Sequence, residues 1–197
     1  MDRQTQWWLA AGLTGALALV ATIGSTADLE AQAKAAVAAD KIEHGKYLVT
    51  TGGCEDCHTP WVKGPNGPPA PDPTRPFSGH PASIKLTQPP RLNEGWGMVS
   101  SATNTAFSGV WGVSFAANLT PDKETGLGNW TEEMFMQALR TGRHEGKGRP
   151  ILPPMPYMYV ASLTDDDLKS VFAYLQSIAP VHNKVPAPID PPEVATR

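Results

Sequence analysis

The stretch GGCEDCHTP, residues 52–60, holds the only two cysteines of the chain, Cys54 and Cys57, with His58 directly after the second. Two cysteines leave no disulfide framework to build. On a helix, positions i and i+3 lie on one face, so the two thiols sit one above the other. The C-x-x-C-H spacing is that of c-type haem attachment. Thiols one turn apart can reach the two vinyl groups of one haem edge, and His58 then brings its imidazole to the iron as proximal ligand. A thioredoxin-like pair would need a βαβ context, and the flanks are instead a short helix and proline-rich loops. A zinc site would need two further ligands at knuckle spacing, and no second C-x-x-C or H-x-x-x-H exists.

Outward from this motif, regular structure is sparse. The 20 prolines and 18 glycines make about a fifth of the 197 residues, which predicts long ordered loops between short helices. Before the motif, IEHGKYLVTTGG (42–53) reads as a short helix stopped by glycine. The alanine-rich segment 28–41 reads as a linker or helical stalk. After the motif, residues 59–106 are nearly all punctuation (GPNGPPAPDPTRP, SGHP, QPP), read only as extended loop. SGVWGVSFAANLTPD (108–122) suggests one short strand-like piece.

Two later helices carry their own stop and start signals. Thr131 is an N-cap before EEMFMQALRTG, ended by Gly142. Thr164 and Asp167 make a capping box opening TDDDLKSVFAYLQSI, in which Leu168, Val171, Phe172, Leu175 and Ile178 form one apolar stripe. The tail from Val185 is proline-rich and reads as loosely held. These stripes are too few for a bundle core, and a haem would fill the middle.

The sixth iron position has five candidate sulfurs: Met98, Met134, Met136, Met155 and Met158. A thioether there gives a closed, low-spin iron suited to electron transfer. Met134 and Met136 sit in a helix, where core packing is the simpler role. Met155 lies in ILPPMPYMYV, where flanking prolines hold the backbone extended and can aim a side chain at little ordering cost. Asn118, Trp130 and Arg140 are candidate donors to the haem propionates. His44, His80, His144 and His182 each stand alone and read as surface or internally satisfied histidines.

The order of these motifs carries a resemblance. GKYL, CEDCHTP, PPMPY and LTDDDLKSVFAYLQS together resemble a class I c-type cytochrome over roughly residues 40–186. The resemblance implies an all-α cytochrome c fold: a few short helices around one haem, with long proline-rich loop insertions. It also implies a crossing of first and last helices, with Gly45 and Tyr47 against Phe172 and Tyr174. NLTPDKETGLGNW, RTGRHEGKGRP and PPMPYMYVASLTDDDL are further similar to one module of the cytochrome subunits of membrane-bound alcohol and gluconate dehydrogenases. In that family the Met of M-P-Y is the axial ligand, which implies Met155 rather than Met158 beside His58. Those subunits carry three haem motifs, whereas this chain has one, plus a long insertion between Cys57 and Asn118.

At the N-terminus, Trp7–Gly24 is an uncharged apolar or small run of 18 residues after Arg3. It would span about 27 Å as a helix, at about 1.5 Å per residue. Residues 1–27 read as a membrane anchor or as a cleaved signal ending near Ser25-Thr26-Ala27, and both export the domain that follows. The expected divisions are 1–27, the 28–41 stalk, a cytochrome domain at 42–186 and a tail at 187–197. The net charge of −3 leaves no basic field for nucleic acid. The expected function is a single-haem electron carrier on the periplasmic side of a bacterial inner membrane, tethered or soluble. It is not itself an enzyme, needs no small-molecule substrate, and has redox proteins as partners. A haem enzyme or gas sensor with an open sixth position is the alternative.

Overall fold

The computed structural model describes residues 25–64, 67–86, 92 and 95–191. Trp7–Gly24 lies outside the described residues, and among those described no helix is long and apolar enough to cross a membrane. The chain divides into two units, Met1–Ala35 and Ala36–Arg197. In the first, residues 26–35 are exposed helix. The second carries everything described below except the start of that helix.

Helix α1 runs Thr26–Thr51, so the alanine-rich segment and the GKYL segment are one continuous helix. Alanine contributes no side-chain entropy loss, which favours helix over so long an exposed run. Only Gly45 and Val49 of α1 are buried, at an i,i+4 spacing that defines one narrow contact stripe. The chain then turns at Gly53 into the single-turn helix α2 (Cys54–His58).

The segment expected to be structureless holds strands, which corrects the all-α expectation. Among the described residues, five α-helices share the structure with five short strands in two antiparallel sheets. The first sheet pairs β1 (Trp61–Val62) with β2 (Ala70–Pro71). The second is a three-stranded meander of β3 (Met98–Ser100), β4 (Ala106–Gly109) and β5 (Gly112–Phe115). Val110 and Trp111 make the two-residue turn between β4 and β5, and Gly112 follows it at φ 92°. A side chain at Gly112 would meet the Ile189 carbonyl, so that position needs glycine twice over. The strands are two to four residues long and lie among glycine and proline, so no alternating run marks them. The tail is likewise pinned, because Val113 and Ile189 exchange both backbone hydrogen bonds, at 2.8 and 2.9 Å.

The later helices form where their caps lie. Helix α3 (Glu132–Thr141) starts under Thr131, whose hydroxyl accepts the Met134 N–H at 3.2 Å, and ends at Gly142. A short helix, α4 (Tyr157–Val160), precedes α5 (Asp165–Ser177). The α5 capping box is complete: the Asp167 N–H donates to the Thr164 hydroxyl at 3.1 Å, and the Thr164 N–H to the Asp167 carboxylate at 3.2 Å.

The core joins Val49 of α1, Phe77, Leu127, Phe135 and Leu139 of α3, and Leu168, Val171, Phe172 and Leu175 of α5. Each fully buried large side chain contributes about 1.5–3 kcal/mol. Phe135 and Phe172 meet at 5.3 Å between ring centres, and Tyr174 meets Phe77 edge-on at 6.2 Å. The expected helix crossing holds at Gly45, where a Cβ would collide with the Ser170 carbonyl and come within 3.0 Å of the Tyr174 Cβ. Tyr47 is not part of it, being 63% exposed, and Phe172 turns instead to α3.

Candidate haem-binding site

Helix α2 presents Cys54 and Cys57 as free thiols, both half-buried, one turn apart. Burial pushes both thiols above their ordinary pKa, and Asp56 between them pushes the same way, so both sulfurs are neutral. His58 closes the helix and is 8% exposed. Its Nδ1 lies 2.9 Å from the Ala117 carbonyl oxygen. A carbonyl cannot donate, so Nδ1 carries the hydrogen. Burial holds the imidazole pKa below its usual range, outweighing that bond, and the ring is neutral. Nε2 is therefore left with a lone pair, and no hydrogen bond from it is found among the described residues. An imidazole oriented through one nitrogen and open at the other is the preparation expected of a metal-binding histidine.

The insertion supplies the supports of α2. The Asp56 carbonyl, an unpaired acceptor at the helix end, accepts from the Trp61 indole N–H and from the Asn104 amide, each at 2.9 Å. Gly79, at φ 73°, donates its N–H to the His58 carbonyl at 2.8 Å. A Cβ there would lie 2.6 Å from the Ala117 carbonyl carbon, the group that orients His58. Only glycine lets these three backbones approach one another.

Burial divides the candidate sulfurs into exposed and partly buried, with Met134 on α3 among the partly buried. Met98 is 40% and Met158 68% exposed. Met136 and Met155 are partly buried against the core cluster, and Cys54 packs against the same cluster. Two neutral thiols on one helical turn, a lone-pair imidazole and a core-packed thioether on a separate loop are the donor set that a covalently held haem takes. The residues present fit that group.

The propionate candidates differ in what remains available to them. Asn118 is buried, its amide donating to Thr125 and to the carbonyls of Val181 and Asn183, while its oxygen accepts from Thr120. Arg140 is committed to the start of α5, with its guanidinium on the Ala161 and Leu163 carbonyls and on the Asp165 carboxylate. Trp130 packs against the core and meets His144 edge-on at 5.1 Å, with its indole N–H unbonded among the described residues. The histidines outside the motif have protein partners: His44 with Asp167 at 2.7 Å, His182 with Asp122 at 3.5 Å, and buried His80 between the Thr105 hydroxyl and the Ile84 carbonyl. Reading the sequence missed Ala117, Gly79, Trp61 and Asn104, since none belongs to a local motif and each acts only through proximity to α2.

No protein-family model matches the chain. It is 27% identical over 192 residues to a nicotinate dehydrogenase component of Pseudomonas putida, a match that covers 94% of this chain and 13% of that protein. It is 30% identical over 141 residues to the gluconate 2-dehydrogenase cytochrome c subunit of Pantoea cypripedii, covering 71% of this chain and 24% of that protein. Over 78 residues it is 41% identical to the cytochrome c subunit of the quinone-linked alcohol dehydrogenase of Gluconobacter oxydans, 38% of this chain and 16% of that protein. The chain thus spans a quarter or less of these relatives' length. It is similar to a cytochrome c module of dehydrogenase cytochrome subunits.

Proposed function

We propose that this chain, similar as it is to a cytochrome c module of dehydrogenase subunits, is an electron-transfer protein that carries one haem c and works within or beside a dehydrogenase. Bound haem supplies a one-electron iron couple. The chain's own residues do the rest. Cys54 and Cys57 would hold the group covalently, so that it could not exchange between turnovers. His58, oriented by Ala117, would offer Nε2 to the iron. Met155 would supply a thioether to the iron and keep water and substrates from it. Trp130 is the propionate donor with a hydrogen to give, whereas Asn118 and Arg140 serve the surrounding loops. The names of the relatives support a dehydrogenase as electron donor, and the apolar run Trp7–Gly24 supports a periplasmic site, tethered or free.

The observation that carries this reading is buried His58, its Nδ1 2.9 Å from the Ala117 carbonyl, beside two cysteines one helical turn apart. The test is the absorption spectrum of the purified, dithionite-reduced protein before and after carbon monoxide. The expected result is a low-spin c-type spectrum that carbon monoxide leaves unchanged. A prompt shift would mean an open sixth position and would overturn Met155 as ligand. Membrane fractionation with N-terminal sequencing of the mature protein tests the tether separately.

A further inference from the structure

The Met155 loop has an unusual shortage of donors. Pro153, Pro154 and Pro156 lack an N–H, so Met155 supplies the only amide hydrogen of the PPMP run. Such a loop offers carbonyls and must be held by donors from elsewhere. One of them comes from β5. The Ser114 hydroxyl donates to the Pro153 carbonyl at 2.5 Å, with the Phe107 carbonyl a distant second acceptor at 3.4 Å. The Trp111 indole N–H in turn donates to the Ser114 oxygen at 3.3 Å. The result is a directed chain from Trp111 through Ser114 to the Met loop.

Ser114 carries a buried hydroxyl. It is 7% exposed and flanked in its strand by Val113 and Phe115. A buried hydroxyl is tolerated when its hydrogen has a destination. Three residues along the same chain, the Ala117 carbonyl orients His58. The strand is braced on both sides, by β4 and by the Ile189 bridge.

We infer that strand β5 of the inserted segment, three residues before the carbonyl that already orients His58, also aligns the Met loop, with Ser114 the positioning residue for Met155. The inference rests on the haem reading above. The insertion that sets this chain apart is then the brace of the site, and Ser114 acts on the iron only through the loop that carries Met155.

The experiment uses the full-length holoprotein and compares wild type, Ser114→Ala, Ser114→Thr and Met155→Ala. Removing one net hydrogen bond from the loop should make displacement of Met155 by carbon monoxide about fivefold more favourable. The reduction potential of Ser114→Ala should fall, and Ser114→Thr, which keeps the hydroxyl, should return both readouts to wild type. A Ser114→Ala protein with unchanged potential and carbon monoxide resistance, alongside a Met155→Ala protein that has lost both, would overturn the positioning role and leave the haem reading intact. A wild type that binds carbon monoxide as readily as Met155→Ala would overturn Met155 as ligand and the positioning role with it, while the haem itself would stand. Should Ser114→Ala not mature, Trp111→Phe removes the donor behind Ser114 and carries the same test. A smaller shift in the same direction supports the inference, and no shift overturns it.

Discussion

Helix α5 and the β4–β5 hairpin stand on opposite sides of the same problem, which is to hold short elements in place around a site built from loops. Helix α5 is self-sufficient at its start, with Thr164 and Asp167 satisfying each other's backbone within one turn. Its four large buried side chains recur at i, i+3, i+4 and i+7 and need only an apolar surface to meet. The hairpin has little of its own beyond the ladder between its two strands. Its outer edge is closed by Ile189, its turn leaves no room for any residue but glycine at 112, and its one buried hydroxyl on β5 is spent on Pro153. An element of the first kind survives a changed neighbour. One of the second kind is only as well ordered as its partners, and it hands their order on to the site.

Substitutions can break or sharpen this contrast. The largest effect is expected from Leu168→Ala, which empties a fully buried position of α5 and should cost about 2–5 kcal/mol in thermal or urea unfolding. Next come Gly45→Ala and Gly112→Ala, each expected to cost about 1–3 kcal/mol because the added methyl meets a backbone carbonyl. The two should separate in a second readout. Gly45→Ala loosens a helix crossing, whereas Gly112→Ala should also raise hydrogen exchange at the Ile189 amide. Equal exchange there in both variants would refute the claim that the hairpin and tail depend on each other.

Thr164→Ala should cost about 1 kcal/mol, the loss of one N-cap, and leave exchange in the hairpin unaltered. The smallest effect at neutral pH concerns His80, buried between the Thr105 hydroxyl and the Ile84 carbonyl in the insertion. Burial holds its pKa below the ordinary imidazole value. The unfolded chain therefore binds the proton more readily. The stability that His80 contributes is present above the ordinary value and is lost as pH falls through the lowered one. Urea titrations at neutral and mildly acid pH should show that loss in wild type and a shallower one in His80→Asn.

Much of the helical frame was legible because it is written locally. A cap and its partner lie three residues apart, a stripe repeats every turn, and C-x-x-C-H places three donor groups on one turn. Of the sheets only one strand-like piece was legible, in 108–122 where β5 lies; the other strands and all the pairing were not. Strands of two to four residues among prolines carry no period, and their pairing depends on partners brought close by the rest of the chain. Tyr47 shows the same limit within a helix, where a spacing compatible with contact did not reveal which neighbour the ring would meet.

By itself, the sequence named the candidate donor groups, the helices with internal caps and the preference for Met155, whose prolines stiffen the backbone through covalent geometry alone. Tertiary structure decided how those groups are oriented. The proton on His58 Nδ1 follows from Ala117, 59 residues away, and the hold on the Met loop follows from Ser114, 39 residues from Pro153. Hydrogen bonds of that reach exist only once the chain has folded, because no local geometry brings their two ends within bonding distance.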